Sequence, residues 1–361
     1  MRASRWLLVI AFCLLLLAPG VLHALLPDAA FSASENRLLA GFPRFSQNSV
    51  FSGRFMEGFE EYFADQFPWR DAFVWLRTKL DQALFRTESN GVYFGRDGYL
   101  FGQLDNQAQL AGNLQQLVGL MQRLPPELVV SFLAVPTSAA VHAERLPKHA
   151  PAADQAQILQ EIRQQLPSRV RCPDLLQLLS QHAAEYIYYR TDHHWTTLGA
   201  FYAYQALFAG ALSQEEFTRE TVRENFYGTY FYRVLDRRFG PDSIVLWHPV
   251  QPREYQITLP DAGGGEIPLY DYSKLETNDK YAVFLGGNHA LAILRTSSNT
   301  GRQLLLVKDS YANCLIPFLA NHFDTIHIVD PRFFPQDLAE YAARAQVDEV
   351  LFVYGLASLT D

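Results

Sequence analysis

The sequence predicts an α/β fold, a sheet with helices packed on it. Short apolar or β-branched runs at 128–135, 281–285, 304–307, 325–329 and 350–354 alternate with helical patterns, as such a fold requires. The run from Leu128 to Val135 is continuously apolar, which suits a central strand buried on both faces. Hydrophobic residues make up 49% and charged residues 19% of the 361, so a sizeable core can form and disorder is excluded.

The elements follow in order. Arg2 and Arg5 precede an apolar stretch from Trp6 to Leu26, with Pro19-Gly20 inside it, and the next basic residue past His23 is Arg37. Positive charge before the stretch and none just after it predicts that everything downstream lies outside the cytoplasm. Residues 1–26 thus read as a retained signal anchor, being long enough to span a bilayer, or as a signal peptide cleaved near Leu22-His23-Ala24. No later segment approaches 18 uninterrupted apolar residues.

Residues 27–105 read as an N-terminal strap, helices and a hairpin. Phe73, Leu76, Leu80 and Leu84 give one apolar helix face, and Val92 to Phe101 gives two short aromatic strands about a turn at Arg96-Asp97-Gly98. Residues 106–361 form the main domain. Helices are expected where Leu110, Leu114, Leu117 and Met121 recur, where Ile158, Ile162 and Leu166 recur, from about 197 to 212, and at 311–320 and 336–344. Residues 213–280 break the rhythm. Gly263-Gly264-Gly265 lies there between candidate strands 255–259 and 266–270, so this segment is expected to be an insertion carrying a β-hairpin.

Composition narrows the function. Thirty Lys and Arg against 38 Asp and Glu give a net charge of −8, which argues against a nucleic-acid partner. Only Cys13, Cys172 and Cys314 are present, which excludes a zinc ribbon or disulfide scaffold and leaves at most a Cys172–Cys314 bridge in the folded part.

Three places could carry chemistry. In Asp192-His193-His194-Trp195 an extended backbone would set Asp192 beside His194, so that the carboxylate could fix the imidazole tautomer; a satisfied structural histidine is the competing reading. His193 would then face the opposite way. In Lys308-Asp309-Ser310-Tyr311-Ala312-Asn313 an apolar strand ends where a helix should start, which can present Ser310 as a nucleophile beside helix-start N–H groups; Asp-Ser before a helix is also ordinary capping. Gly286-Gly287-Asn288-His289 follows an apolar run and could supply polar lining or simply turn the chain. A shared metal ion on Asp192, His193, His194 and His289 is disfavoured, because adjacent side chains of an extended segment diverge and no Asp-x-Asp completes a carboxylate-rich site. No metal and no cofactor is expected.

Thr191-Asp192-His193-His194-Trp195-Thr196-Thr197-Leu198-Gly199-Ala200 resembles the signature of the bacterial DHHW proteins. Asn90 to Gly95, Gly286 to His289, Lys308 to Asn313 and Val329 to Arg332 also match, so the resemblance covers the chain from about Ser34 onward. These proteins are similar to the alginate O-acetylation proteins of the SGNH-hydrolase-like class. The resemblance implies an SGNH-hydrolase-like (flavodoxin-like), mostly parallel sheet with helices on both faces. It implies Asp192 as orienting acid, His194 as general base and Ser310 as nucleophile, with Asn313, Asn288 and Tyr311 as oxyanion or acyl-site candidates. The expected activity is an O-acyl (acetyl) transferase or esterase on a cell-surface or secreted polysaccharide. By the same analogy an integral-membrane O-acyltransferase supplies the acyl group, and the chain is extracytoplasmic, held to the cytoplasmic membrane by its N-terminus or secreted. A non-catalytic binding or assembly component of a polysaccharide machine is the alternative. The aromatics at 186–189 and 226–232 could stack on sugar rings or pack the core.

Overall fold

A computed structural model describes residues 2–32, 37–104 and 107–360. Its contacts divide into two units, residues 1–90 with 232–236, and residues 91–231 with 237–361.

In the smaller unit the apolar N-terminal stretch is part of one helix, α1 (Arg2–Leu25), many of whose side chains lie outside the described residues. Among the described residues no helix is long and apolar enough to cross a membrane. Three further helices follow, α2 (Gln47–Phe51), α3 (Arg54–Asp65) and α4 (Arg70–Ala83). The spacing of Phe73, Leu76, Leu80 and Leu84 correctly marks a helix, yet all four are exposed. The residues α4 buries are Thr78 and Asp81, and the Asp81 carboxylate accepts hydrogen bonds from Arg86 and Ser89.

The larger unit opens with the expected hairpin, β1 (Val92–Phe94) and β2 (Leu100–Gly102). Asp97 and Gly98 of its turn have φ of 55° and 78°, the left-handed region that Asp tolerates and Gly favours. Next come α5 (Gln107–Arg123), β3 (Val129–Val135), α6 (Gln155–Gln165), α7 (Leu175–Gln181) and α8 (Thr197–Leu207). The segment expected to be an insertion holds two β pairs. A ribbon joins β4 (Phe217–Phe226) to β5 (Asp242–Pro249), and the hairpin joins β6 (Tyr255–Leu259) to β7 (Gly265–Ile267). The chain continues through β8 (Leu291–Thr296), β9 (Gln303–Lys308), β10 (Thr325–Val329), α9 (Leu338–Ala345), β11 (Glu349–Gly355) and α10 (Leu356–Thr360).

Seven of these strands form one sheet in the order β7-β6-β8-β10-β9-β11-β3. The four from β10 to β3 run parallel, and β8, β6 and β7 extend the sheet antiparallel, so the hairpin is stitched onto the main sheet. Alternation of side chains builds two cores. Leu133, Val135, Leu304, Leu306, Leu351 and Val353 pack on one face with α7 and α8; Phe132, Leu305, Val307, Val350 and Phe352 pack on the other with α5, α6, α9 and α10. The fold is therefore α/β with a mostly parallel centre.

Three local expectations fail for identifiable reasons. Residues 281–285 form a 3-10 turn, Lys280–Val283, followed by left-handed backbone at Leu285, Gly286 and Gly287, rather than a strand. The helix expected over 311–320 is split into a 3-10 turn, Ser310–Cys314, and one α turn, Ile316–Leu319, with Pro317 at its start. Cys172 and Cys314 are free thiols that pack against opposite cores, so no bridge forms between them.

Candidate active site

The carboxyl ends of the parallel strands set the stage. Asp309 follows β9 and caps the 3-10 turn that begins at Ser310. One of its carboxylate oxygens accepts the Tyr311 N–H at 2.9 Å, and the other accepts the N–H of Gly355, at the end of neighbouring β11, at 2.7 Å. Capping thus falls to Asp309, which leaves the half-buried Ser310 hydroxyl available.

Asp192, His193 and His194 lie on bends. Asp192 Oδ1 accepts the backbone N–H of His194 at 3.0 Å, a side-chain turn that folds the segment back on itself. The same oxygen accepts from His194 Nδ1 at 2.6 Å, and His194 Nε2 stands 2.8 Å from Ser310 Oγ. With its Nδ1 proton given to a carboxylate, the ring presents Nε2 as acceptor to the serine hydroxyl. Three residues spread over 118 positions of sequence are thereby joined in one hydrogen-bonded chain.

The fold holds Asp192 from its other side. Thr229 donates to Asp192 Oδ2 through its N–H at 2.8 Å and its hydroxyl at 3.2 Å. Gly228 passes so close that a Cβ there would lie 2.1 Å from the Cβ of Asp192. A second buried carboxylate, Asp242, accepts the N–H groups of Arg190 and Thr191 at 2.9 Å each and so fixes the approach to the segment. Burial opposes charge on Asp192, but the His193 and His194 imidazoles and the hydrogen bonds outweigh it and hold the carboxyl well below its usual range. Asp192 is thus a fixed anion beneath the His194 ring.

His193 departs from its expected place. The turn brings its ring within 3.8 Å of the His194 ring, centroid to centroid, instead of sending it to the opposite side. Its Nδ1 bonds the Thr229 hydroxyl oxygen at 2.8 Å, and burial together with His194 lowers its pKa to about 4, so it is neutral at pH 7. The donor atoms of Asp192, His193 and His194 lie within 4.8 Å of one another, a spacing an ion could bridge. Each side chain is already engaged, however, in the bonds to Ser310, Thr229 and one another, which an ion would have to displace. His289, the fourth candidate ligand, is turned onto the Leu285 carbonyl at 2.8 Å.

The acyl-site candidates sort by whether their donors are free. The Tyr311 hydroxyl donates to the His193 carbonyl at 2.5 Å, and the Tyr311 ring packs where a Gly355 side chain would be, so this residue braces the site instead of offering a donor. The Tyr311 and Ala312 N–H groups are bonded to Asp309, which leaves the N–H of Ser310 itself from the helix-start set. Asn288 and Asn313 are gathered by Lys308, whose fully buried ammonium donates to their amide oxygens at 2.7 and 2.8 Å. That cation fixes the oxygen end of each amide, and the Asn313 N–H₂ group donates on to Asn288 Oδ1 at 3.4 Å, so the three side chains form one hydrogen-bonded cluster. Burial lowers the Lys308 pKa to about 8 against the pull of Asp330 and Asp309.

Most of the aromatic runs pack inside, with Tyr186, Tyr227 and Tyr232 half-buried. Ile187, Tyr188, Tyr189, Phe226, Tyr230 and Phe231 are buried in the larger unit, and the Tyr186 hydroxyl is tied to Asp242. Gly228, Thr229 and Tyr281 are the site residues that sequence reasoning passed over, and Lys308 stood in the serine-bearing segment without a role of its own. Lys308 alone had a sequence signal, a cation at the end of an apolar strand.

The chain has relatives among known proteins. The relatives include the "Probable alginate O-acetylase AlgJ" of Pseudomonas fluorescens, 28% identical over 209 residues that make up 55% of this chain and 50% of that protein. The AlgJ of Pseudomonas aeruginosa is 28% identical over 220 residues, 59% of this chain and 55% of that one. The chain spans about half the length of the curated relatives it matches. Among solved structures, a DHHW family protein from Eubacterium siraeum superposes with a TM-score of 0.66 at 24% identity, covering 76% of this chain and 93% of that one. Bacillus cereus PatB1 superposes at 0.64 with 20% identity, covering 75% and 97%. Both share the fold. The model of the DHHW proteins matches residues 127–329, more than half of the sequence and inclusive of Asp192, His194 and Ser310, and the chain belongs to the DHHW family.

Proposed function

We propose that this protein is an extracytoplasmic O-acyl (acetyl) transferase or esterase that acts on a polysaccharide through Ser310, His194 and Asp192. One observation carries the reading: His194 Nε2 is 2.8 Å from Ser310 Oγ while its Nδ1 is 2.6 Å from Asp192. Buried geometry of this kind turns a serine hydroxyl into a nucleophile. The AlgJ relatives, named as alginate O-acetylases, support the choice of acyl chemistry and of a polysaccharide as its target.

In this reading Ser310 Oγ attacks the carbonyl carbon of an acyl donor as its proton passes to His194 Nε2. The Asp192 carboxylate stabilises the imidazolium so formed. The oxyanion meets the Ser310 N–H, with the Asn288 amide as a further candidate donor. Collapse of the tetrahedral intermediate expels the leaving group with the proton from His194, and Ser310 keeps the acyl group as an ester. An acceptor hydroxyl then gives its proton to His194 and attacks that ester; the bond from the acyl carbon to Ser310 Oγ breaks, and His194 returns the proton to Ser310. A sugar acceptor makes the protein a transferase, and water makes it an esterase. The SGNH-hydrolase type of sheet, the N-terminal segment as anchor or export signal, and an integral-membrane O-acyltransferase as acyl supplier belong to the same proposal.

The test uses the full chain in detergent with p-nitrophenyl acetate and a serine-reactive fluorophosphonate. Labelling of Ser310, lost in Ser310→Ala and in His194→Ala, supports the enzyme. Folded protein with no hydrolysis and no labelling overturns it and favours a binding or assembly component. Activity that chelators abolish and Mn²⁺ or Zn²⁺ restores would overturn the serine mechanism in favour of a metal site.

A further inference from the structure

The His194 ring has a neighbour that the relay does not explain. Tyr281, on the 3-10 turn Lys280–Val283, lays its ring over the imidazole with centroids 3.8 Å apart and planes 10° from parallel. Its hydroxyl donates to the backbone carbonyl of Ser310 at 3.2 Å. The Tyr281 side chain is buried, 5% exposed for the residue, and is itself held edge-on by Tyr189 at 6.2 Å and by a tilted Phe284 ring at 5.2 Å. One side chain therefore touches the face of the candidate base and the main chain of the candidate nucleophile.

We infer that Tyr281 is a positioning residue that locks the plane of the His194 ring to the backbone of Ser310 and supports the imidazolium formed during acyl transfer. The inference rests on the serine mechanism proposed above. Two physical effects converge. A ring at van der Waals distance and nearly parallel leaves the imidazole little freedom to tilt, and the hydroxyl bond keeps that ring in register with the serine it serves. In addition, an electron-rich aromatic face attracts a cation laid against it. The positive charge on His194 exists only after proton transfer begins, so this attraction favours the transition state over the ground state and acts on kcat more than on KM. Tyr281 neither gives nor takes a proton in the cycle.

The decisive comparison separates the ring from the hydroxyl. Tyr281→Phe keeps the stack and loses one bond, and should retain kcat within a few-fold. Tyr281→Leu fills the space without a ring and should lower kcat by about tenfold to a hundredfold, the scale of a misplaced catalytic group, with KM for p-nitrophenyl acetate unchanged. The far-downfield proton resonance of the His194–Asp192 hydrogen bond should persist in Tyr281→Phe and broaden in Tyr281→Leu. Tyr281→Met serves if the leucine variant does not fold. Wild-type kcat in a folded Leu or Met variant, or equal losses in Phe and Leu, would overturn the inference while Ser310→Ala remained inactive. Activity surviving in Ser310→Ala would instead sink the underlying mechanism.

Discussion

Gly228 is a sharp test of the site, because a single methyl group there meets Asp192 head-on. An ideal Cβ would stand 2.1 Å from the Asp192 Cβ, 2.4 Å from Oδ2 and 2.6 Å from Cα. Ordinary carbon contacts begin near 3.4 Å, so relief in Gly228→Ala requires a displacement of more than an ångström. No flexible side-chain tip is available to absorb it, since two of the three atoms are Cα and Cβ of the residue itself. The displacement would pull the Thr229 N–H, now 2.8 Å from Asp192 Oδ2, away from the carboxylate. Hydrogen bonds to a charged group contribute roughly 1.5–3 kcal/mol each, and a carboxylate shifted by about 1 Å leaves the imidazole misaimed, which can cost on the order of a hundredfold in rate. The expected outcome is a folded protein, less stable by about 1–3 kcal/mol, whose kcat on p-nitrophenyl acetate falls at least a hundredfold. Urea unfolding and steady-state kinetics on the same preparation measure both. A variant with kcat within threefold of the parent would refute the reasoning, because it would show that the seat of Asp192 does not govern the reaction.

Two further predictions concern stability. The Lys308 pKa, lowered by burial to about 8 from 10.5, means that the unfolded chain binds the Lys308 proton more tightly than the folded one. The burial cost is therefore fully present below pH 8 and is relieved as pH rises from about 8 to 10.5, a gap equivalent to roughly 3 kcal/mol. The urea stability of the parent relative to Lys308→Met should rise across that window, and a flat difference between the two proteins would count against it. Gly112 and Gly119 lie within α5, where an added Cβ meets nothing within 4 Å. Changing each to Ala should stabilise by up to about 1 kcal/mol, read as an increase in Tm with no change in kcat.

Much of the larger unit could be read from the sequence because its central strands are buried on both faces. Such strands read as unbroken apolar runs, and β3, β9, β10 and β11 fall within one or two residues of where those runs lie. The ribbon strand β4 could not be read this way. Its sequence, Phe-Thr-Arg-Glu-Thr-Val-Arg-Glu-Asn-Phe, buries only its two end residues, so no period distinguishes it from a solvated loop. At the site, Asp192, His194 and Ser310 were nameable from local sequence, and the structure brings them together. Their supports were not nameable. Gly228 matters through space that it leaves empty, and Tyr281 through a ring that reaches it from 87 positions further along the chain. The sequence rule for extended backbone also misplaced His193, because it takes no account of a carboxylate folding its own chain two residues on.

The position of β11 in the sheet has a consequence for biosynthesis. This strand, Glu349–Gly355, slots between β9 and β3, and its last residue gives its N–H to the carboxylate that caps the serine turn. During synthesis His194 and Ser310 both emerge before it, yet the groove between β9 and β3 stays unfilled until it arrives. Until then the carboxylate of Asp309 lacks one of its two backbone partners, and the serine turn reaches its final form only once this late segment has zipped into the gap.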